Sequence, residues 1–312
     1  MTNRPIQAAA GEGAFMKLQA PSGFRFEVNA AMLASADKDC MYRVQDGTLY
    51  KAITVGPDAY AVEIRPDPDV RHIAVRYIGG GPASVDARAR AAIAQYVWEW
   101  LDLDTDLEPF YAMASADPLL REPAERFYGL RNIGIPDLFE AISWGIIGQQ
   151  INLTYAYSLK RRFVEQFGRS IACEGETNYT YPTAQTIAAL TPDDLGMLRM
   201  SVKKCEYLVG AAALIAEGRL TKELLQEAGG LKEAERMLTA IRGIGPWTAN
   251  YVLMRCLRMP SAFPIDDVGL HNAIRFATGS AHKPTKPEIK KLSAGWAGWE
   301  SYATIYLWRL LY

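Results

Sequence analysis

Two different hydrophobic patterns divide the chain near residue 90. Over the first ~90 residues, short β-branched and aromatic runs are separated by Gly, Asp and Pro, a pattern typical of β-strands. The strands predicted in this way are residues 24–28, 41–44, 49–55, 60–64 and 72–77. Asp46-Gly47 between the second and third runs is a strong hairpin signal. The pattern predicts a small antiparallel sheet.

After Gly79-Gly80-Gly81-Pro82, apolar residues recur at helical spacing. Ser84 is predicted to cap a helix that runs to about Leu101. Further helices are predicted at residues 136–147, 153–167, 203–218, 221–228, 231–241, 246–258, 268–276 and 299–312, with another opening at Thr191. We therefore predict an α+β protein with a sheet domain at 1–90 and a mostly helical domain at 91–312.

Composition excludes several classes of protein. Hydrophobic residues make up 49% and charged residues 22% of the 312 positions, which is typical of a globular chain and not of a disordered one. The formal net charge of −1 argues against an unselective nucleic-acid binder. Residues 242–312, however, carry nine basic and four acidic side chains, a balance of +5. Either these counts cluster by chance or the end of the chain attracts an anionic partner.

Cysteine and histidine usage points away from metal chemistry. The four cysteines form no C-x-x-C pair, and the three histidines form no zinc-binding motif. Sparse cysteines fit a reducing compartment, and the chain has no apolar run long enough to cross a membrane. We expect a cytoplasmic protein, associated with the nucleoid if it binds DNA, with no metal and no membrane contact.

A glycine-rich turn joins two predicted helices within residues 231–258. In Arg242-Gly243-Ile244-Gly245-Pro246, two glycines allow a very short reversal, and Pro246 begins the second helix. Backbone N–H groups and the positive end of that helix form a site for an anionic oxygen. Ile244 is expected to anchor the turn between the helices. The alternative is a tight turn between packed helices with no ligand.

The helix after this turn has an aliphatic face and a second, aromatic face that ends in a cation. One carries aliphatic residues at i, i+3, i+4 and i+7 spacing, and the other carries Trp247, Tyr251, Met254 and Arg258. The second face requires an occupant, which is either another helix or a ligand. Shortly afterwards, Asp266-Asp267 precedes a predicted helix at 268–276, where an aspartate at the start is a good N-cap.

These motifs together resemble a known family. The run I-R-G-I-G-P-W-T-A-N-Y at 241–251, followed by F-P-I-D-D-V-G-L at 263–270, resembles the helix–hairpin–helix/Gly-Pro-Asp DNA glycosylase superfamily. Within it, the chain is most similar to DNA-3-methyladenine glycosylase II of the Bacillus type. Residues 136–168, 299–312 and the N-terminal sheet also match, so the resemblance covers most of the chain. It implies a monomeric base excision repair enzyme that acts on double-stranded DNA containing alkylated bases.

The resemblance assigns the chemistry to Asp267. A fixed carboxylate stabilises the positive charge that develops on deoxyribose as an N-glycosidic bond breaks. Asp266 is interpreted as a capping or orienting residue. Lyase relatives place a Schiff-base lysine where this chain has Trp247, so a monofunctional hydrolase is expected. An oxidised-base (8-oxoguanine-type) glycosylase and a non-catalytic helix–hairpin–helix DNA-binding protein remain the alternatives.

The same resemblance predicts the base pocket. Trp247, Tyr251 and Trp299 are expected to stack on the flipped base. Electron-rich rings suit a cationic alkylated purine. The other aromatic residues of the C-terminal helix, Tyr306, Trp308 and Tyr312, are assigned to the core.

The remaining contacts with DNA are assigned to three segments. Hairpin residues Gly243, Ile244, Gly245 and Thr248 are expected to bind the backbone, and Gln149 and Gln150 to fill the gap left by the flipped base. Lys203 and Lys204 lie either near phosphates or on a solvated face. The family implies no cofactor, although its hairpin carbonyls can hold a monovalent cation.

Overall fold

A computed structural model describes residues 9–10, 15–69, 71–82 and 85–312. The chain divides into two compact units. The first comprises residues 1–104 and 151–183, and the second comprises 105–150 and 184–312. The chain therefore passes between the units three times, whereas the sequence pattern predicted a single boundary near residue 90.

The first unit is built around an antiparallel sheet in the order β1-β2-β6-β5-β4-β3. Its strands are β1 Ala9–Ala10, β2 Phe15–Gln19, β3 Arg43–Gln45, β4 Thr48–Val55, β5 Asp58–Pro66 and β6 His72–Gly80. The predicted hairpin at Asp46-Gly47 is present, and both residues have positive φ, 49° and 73°, as the tight two-residue turn requires.

One predicted strand is a helix. Residues 26–28 of this run form the beginning of α1, Phe26–Ala34, with Arg25 as its N-cap, because the buried residues Phe26, Ala30 and Leu33 recur at helical spacing. The other helices of this unit are α2, Ala87–Trp100, and α6, Leu153–Phe167. Ser84, the predicted cap of α2, lies outside the described residues; Asp86 is the N-cap and accepts a hydrogen bond from the N–H of Ala89.

A second hairpin in this unit was not predicted. It pairs β7, Ser170–Cys173, with β8, Glu176–Tyr179, through a turn in which Glu174 and Gly175 have positive φ. Ile171 and Cys173 pack into a small apolar cluster with alanines of β4 and β5. The strands are only four residues long, which is too short for a periodicity signal in the sequence.

The second unit is helical. Its helices are α3 Glu108–Ala116, α4 Arg121–Arg126, α5 Leu138–Gly148, α7 Ala184–Ala188, α8 Val202–Ala216, α9 Lys222–Gln226, α10 Leu231–Thr239, α11 Pro246–Arg255, α12 Val268–Thr278, α13 Lys286–Leu292 and α14 Glu300–Trp308. Residues Pro192–Leu198, predicted as an α-helix, form a 3-10 helix. The predicted fold class, a sheet region followed by a mostly helical one, is confirmed.

Helix α11 lies at the centre of the second unit and packs against α5 and α10. Gly145 of α5 is the point of close approach, because a Cβ atom there would lie 2.6 Å from Cγ2 of Thr248. No helix within the described ranges is long and apolar enough to span a membrane.

Candidate active site

The hairpin between α10 and α11 has the geometry that its glycines predict. Gly243 has φ of +94°, and a Cβ atom there would overlap the ring of Tyr207, so only glycine fits. Ile244 is 4% exposed and anchors the turn in the crevice between the helices, as expected. Ile244 and the ring of Tyr207 therefore both fix the position of the turn.

Gly245 is different from Gly243 because its surroundings are open. Its φ of −93° is accessible to any residue, and an added Cβ atom would meet nothing within 4 Å. Gly245 is the N-cap of α11 and Pro246 begins the helix, so the backbone N–H groups of its first turn are left without intrahelical acceptors. Together these features leave exposed a helix N-terminus of the kind that binds anions. Thr248, which was predicted to bind the DNA backbone, is 1% exposed and packs inside.

The second face of α11 is occupied by protein. Tyr251 and Met254 are 6% and 0% exposed. Asn132 donates a side-chain hydrogen bond to the Met254 carbonyl at 2.8 Å, and Arg255 donates one to the Ile133 carbonyl at 2.8 Å. Tyr251 stacks on Trp247, with ring centroids 5.6 Å apart and an interplanar angle of 28°. Trp247 is half-buried, so it alone of these two aromatic rings retains substantial solvent exposure.

Asp267 is the N-cap of α12. Its Oδ1 atom accepts a hydrogen bond from the N–H of Leu270 at 2.8 Å. Two indole groups also donate to this carboxylate: Nε1 of Trp247 lies 3.1 Å from Oδ2, and Nε1 of Trp308 lies 2.9 Å from Oδ1. Three donors and the positive end of α12 thus hold the carboxylate in one orientation.

Trp308 is a residue of this candidate site that sequence reasoning missed. It was assigned to the core, but it is half-buried and its indole N–H contacts Asp267. Gly269 makes this contact possible, because a Cβ atom there would lie 2.9 Å from Oδ1 of Asp267 and 3.1 Å from Nε1 of Trp308. Nothing in the sequence spacing links Trp308 to an aspartate 41 positions earlier; only the glycine in D-V-G-L is a local signal of close approach.

Asp266 does not cap the helix, so that part of the prediction is wrong. Its Oδ1 atom lies 2.7 Å from Nζ of Lys286, and both side chains are largely exposed. Asp267 takes the capping role because its side chain, and not that of Asp266, reaches the N–H of Leu270. The two adjacent acids therefore have different partners.

The other aromatic residues of the C-terminal segment have separate positions. Trp299 is half-buried, and its ring contacts those of Phe110 and Tyr302, with centroids 5.9 and 5.4 Å away, in an aromatic cluster. Tyr306 is fully buried in that cluster, as predicted. Tyr312 is 57% exposed and is not a core residue. Partial burial, and then the charge of Asp267, raise the pKa of the Tyr312 phenol.

The two predicted wedge residues have different environments. Nε2 of Gln149 donates to the Gly243 carbonyl at 2.8 Å and to Oγ1 of Thr248 at 3.1 Å, so this side chain is bound to the hairpin. Gln150 is exposed and has φ of +58°. Lys203 is exposed, whereas Lys204 is half-buried, and burial lowers the pKa of its ammonium group.

Comparison with protein-family models gives two matches. Residues 144–298 match the HhH-GPD superfamily base excision DNA repair protein, and residues 26–142 match the 8-oxoguanine DNA glycosylase N-terminal domain. The first range contains the hairpin, Asp267 and Gln149. The second range ends before the Gln149-Gln150 loop, the hairpin and Asp267, and it contains Phe110, Asn132 and Ile133, which contact Trp299 or α11.

Individual relatives cover most of the chain. The chain is 50% identical over 292 residues to the DNA-3-methyladenine glycosylase of Bacillus subtilis. The matched residues are 94% of this chain and 95% of the relative. The chain is 31% identical over 180 residues to DNA-3-methyladenine glycosylase 2 of Escherichia coli, covering 58% of this chain and 60% of that protein.

A solved structure has the same fold. The 3-methyladenine DNA-glycosylase from Archaeoglobus fulgidus superposes with a TM-score of 0.79 at 26% identity, covering 94% of this chain and 97% of that one. A helix–hairpin–helix followed by an aspartate that caps the next helix defines a class of DNA repair proteins. The chain belongs to the HhH-GPD superfamily of base excision DNA repair proteins, which confirms the resemblance read from its motifs.

Proposed function

We propose that this protein is a monofunctional DNA glycosylase that releases alkylated bases, such as 3-methyladenine and 7-methylguanine, from double-stranded DNA. The observation that carries the proposal is the fixed position of the Asp267 carboxylate. The indole N–H groups of Trp247 and Trp308 and the N-terminus of α12 hold it beside these two rings. Relatives named DNA-3-methyladenine glycosylase support the choice of substrate.

Asp267 has acceptor capacity left for the reaction. An ionised carboxylate offers about four lone-pair sites, of which Leu270, Trp247 and Trp308 occupy three. Two of those donors share Oδ1, so Oδ2 retains a free site. That oxygen can face the developing positive charge of the sugar, and the orientation is set before substrate binds.

The chemical step breaks the bond between C1′ and the base nitrogen. The bonding electron pair leaves with the base, so a cationic alkylated purine departs as a neutral molecule. The deoxyribose becomes positively charged and is stabilised by Asp267. A water molecule then adds to C1′, and the proton it loses passes to Asp267 or to solvent. The products are the free base and an abasic site.

The aromatic residues supply the affinity for a cationic base. Trp247 and Trp308 both approach Asp267, so a base attached to the reacting sugar lies beside at least one indole ring. A cation above an indole face gains ~0.5–2 kcal/mol. Normal bases are neutral and lack this gain. An alkylated base is also a better leaving group, which lowers the need for a general acid.

The hairpin holds the DNA backbone next to the lesion. Gly245 and the first turn of α11 offer amide N–H groups to a phosphate. The exposed Gln150 is proposed to occupy the gap left by the flipped base. We further propose a monomer that works in the cytoplasm at the nucleoid and needs no cofactor. A monovalent cation at the hairpin would share the Gly243 carbonyl with Gln149.

The match of residues 26–142 to an 8-oxoguanine glycosylase domain makes an oxidised-base enzyme the second candidate. That match lies outside the residues of the site, so it concerns the scaffold and not the chemistry. Trp247 stands where the lyase relatives have lysine, and an indole N–H cannot form a Schiff base. In the third candidate, a non-catalytic DNA-binding protein, the two hydrogen bonds from indole N–H groups that orient Asp267 would have no role.

One assay separates the three candidates. Purified protein is incubated with duplexes containing 3-methyladenine, 7-methylguanine or 8-oxoguanine; free base and strand breaks are measured separately, and borohydride trapping tests for a Schiff base. We expect release of the methylated bases with no trapped adduct and no break until alkali is added. Release of 8-oxoguanine with strand cleavage would establish the second candidate, and binding without release the third.

A further inference from the structure

Lys204 binds the end of the helix that leads into the Gln149-Gln150 loop. Its Nζ atom donates to the carbonyls of Ile147 and Gln149, both at 2.8 Å. These carbonyls belong to the last turn of α5 and the residue after it, where backbone oxygens have no intrahelical donors. A cation at this position also complements the negative end of the helix dipole.

Gln149 ties the same loop to the hairpin. Its side-chain amide donates to the Gly243 carbonyl and to Oγ1 of Thr248, at 2.8 and 3.1 Å. The backbone of Gln149 is thus held by α8 through Lys204, while its side chain is held by the hairpin and α11. The Gln149-Gln150 loop is therefore bonded both to α8 and to the hairpin with α11.

Gln150, the next residue, is in an unfavourable backbone conformation. Its φ of +58° lies in the left-handed region, which residues with a Cβ atom rarely adopt, and its side chain is exposed. Such a conformation persists only where surrounding contacts determine it. Lys204 and Gln149 fix the residues immediately before it, and Asn152, the N-cap of α6, fixes the chain two residues after it.

We propose that Lys204 is a positioning residue for base flipping: together with Gln149 it fixes the loop so that Gln150 is ready to enter the duplex as the base leaves. The inference rests on the proposed function. It assigns to Lys204 a role other than contact with phosphate, since its ammonium group is directed to two carbonyl oxygens. The role is exerted through Gln150, and Lys204 does not touch the reacting atoms.

A fixed loop matters only when a base must be removed from a stacked, paired position. A lesion opposite an abasic site is unpaired, so its extrusion costs less and needs less help from an inserted side chain. The proposal therefore predicts a selective defect. Loss of Lys204 slows release from a fully paired duplex much more than release from the unpaired lesion.

The experiment compares Lys204→Met with wild type in single-turnover release of 7-methylguanine from both substrates. We expect a fall of about 10- to 100-fold on the paired duplex, in line with the effect of a small misplacement in a preorganised site, and a fall of less than about threefold on the unpaired lesion. Lys204→Arg, which retains donors for both carbonyls, should restore most of the rate. Lys203→Met, which alters the exposed neighbour, should match wild type.

A second readout measures flipping without base release. 2-Aminopurine beside the lesion becomes fluorescent when it unstacks, and Lys204→Met should reduce this signal at saturating protein. Gln149→Met removes the other tie and should give the same selective defect, which keeps the test open if Lys204→Met fails to fold. Equal slowing on both substrates, or an unchanged 2-aminopurine signal, would overturn the proposal. Failure of wild type to release 7-methylguanine from either substrate would instead contradict the proposed function, and the fluorescence would still report on the loop.

Discussion

Asp267 caps α12 with the same side chain that we propose stabilises the sugar cation. Its carboxylate caps α12 through Leu270 and also accepts the indole N–H groups of Trp247 and Trp308. Capping depends on an acceptor oxygen, whereas stabilising a cationic sugar depends on negative charge. The two purposes can therefore be separated by a substitution that keeps the oxygen and removes the charge.

Asp267→Asn should abolish base release and leave the fold intact. Asparagine is as good an N-cap as aspartate and keeps the oxygen that Leu270 and Trp308 share, but its amide nitrogen cannot accept from Trp247, so we expect only a small fall in melting temperature. Single-turnover release should fall at least about 100-fold because the charge is gone. Asp267→Ala should lose both activity and about 1 kcal/mol of stability. Release by Asp267→Asn at the wild-type rate would exclude Asp267 as the catalytic carboxylate.

Gly269→Ala should reduce activity with little effect on stability. The added methyl group would lie 2.9 Å from Oδ1 of Asp267 and 3.1 Å from Nε1 of Trp308, which forces these two atoms apart. Losing a hydrogen bond to a charged group costs ~1.5–3 kcal/mol, so we expect release to slow by about 10- to 100-fold. Thermal melting should change little, because alanine favours helix by up to ~1 kcal/mol over glycine.

The control is Gly210→Ala in α8, where an added Cβ atom meets nothing within 4 Å. It should keep wild-type activity. Trp308→Phe retains the ring and removes the N–H group, so it should slow release to a similar degree as Gly269→Ala. Because both act on the same hydrogen bond, the double variant should be no slower than the slower single variant. Additive effects would show that Gly269 acts elsewhere.

At the level of elements, the two glycines of the hairpin differ in their backbone conformation and in the space around them. Gly243 needs positive φ and abuts Tyr207, whereas Gly245 has an ordinary φ and faces open space. The sequence G-I-G-P does not distinguish these two positions. Only the backbone geometry shows that Gly245 can be replaced without strain.

Gly245→Asp should weaken DNA binding on every sequence and leave thermal stability unchanged. A carboxylate at this position repels the phosphate that the hairpin amides are proposed to bind. Gly245→Asn has nearly the same shape without the charge and is the matched control; it should bind at least about tenfold more tightly than the aspartate variant in fluorescence anisotropy. Equal affinities of the two variants would argue against a phosphate at the hairpin. Gly243→Ala, by contrast, should lower the melting temperature.

The elements that the sequence predicted correctly are those whose signals are local. Residues 153–167 form α6 as predicted, between Asn152 as N-cap and Gly168 at its end, and Asp46-Gly47 forms the predicted turn. Where burial from elsewhere decides, local signals fail. The β-prone residues 24–28 enter a helix because their apolar neighbours at Ala30 and Leu33 are buried at helical spacing.

The candidate site could be predicted as far as its motifs reached. Asp267, Trp247 and the hairpin lie in contiguous runs, and the structure brings them together. The contact of Trp308 with Asp267 and that of Lys204 with the end of α5 were not predicted, because the partners are distant in sequence; Lys204 had been assigned to phosphates or to a solvated face. Trp299, which the resemblance assigns to the base pocket, is half-buried and packs with Phe110, a contact that no local signal indicated; its role in the pocket stays a prediction.

At the scale of the whole molecule, charge is low and localised. The net charge is −1, yet residues 242–312 carry nine basic and four acidic side chains. Because the hairpin offers neutral amides to a phosphate, we expect few released counterions on DNA binding. A plot of log Kobs against log salt should have a slope of only about −2 to −4, measurable by anisotropy between 50 and 300 mM salt. A slope near −8 would require a broad basic surface.

The dual role of Asp267 as cap and carboxylate bears on which lesions the enzyme can accept. The acid is oriented by Leu270, Trp247 and Trp308, all of which belong to the protein, so the departing base contributes nothing to its alignment. The free-energy cost of orienting the carboxylate therefore falls on folding, and it is the same for every substrate. Discrimination is then left to the strength of the glycosidic bond and to stacking. We expect a range of bases, differing in outline but sharing a weakened bond, to be excised at rates that follow leaving-group ability and not shape.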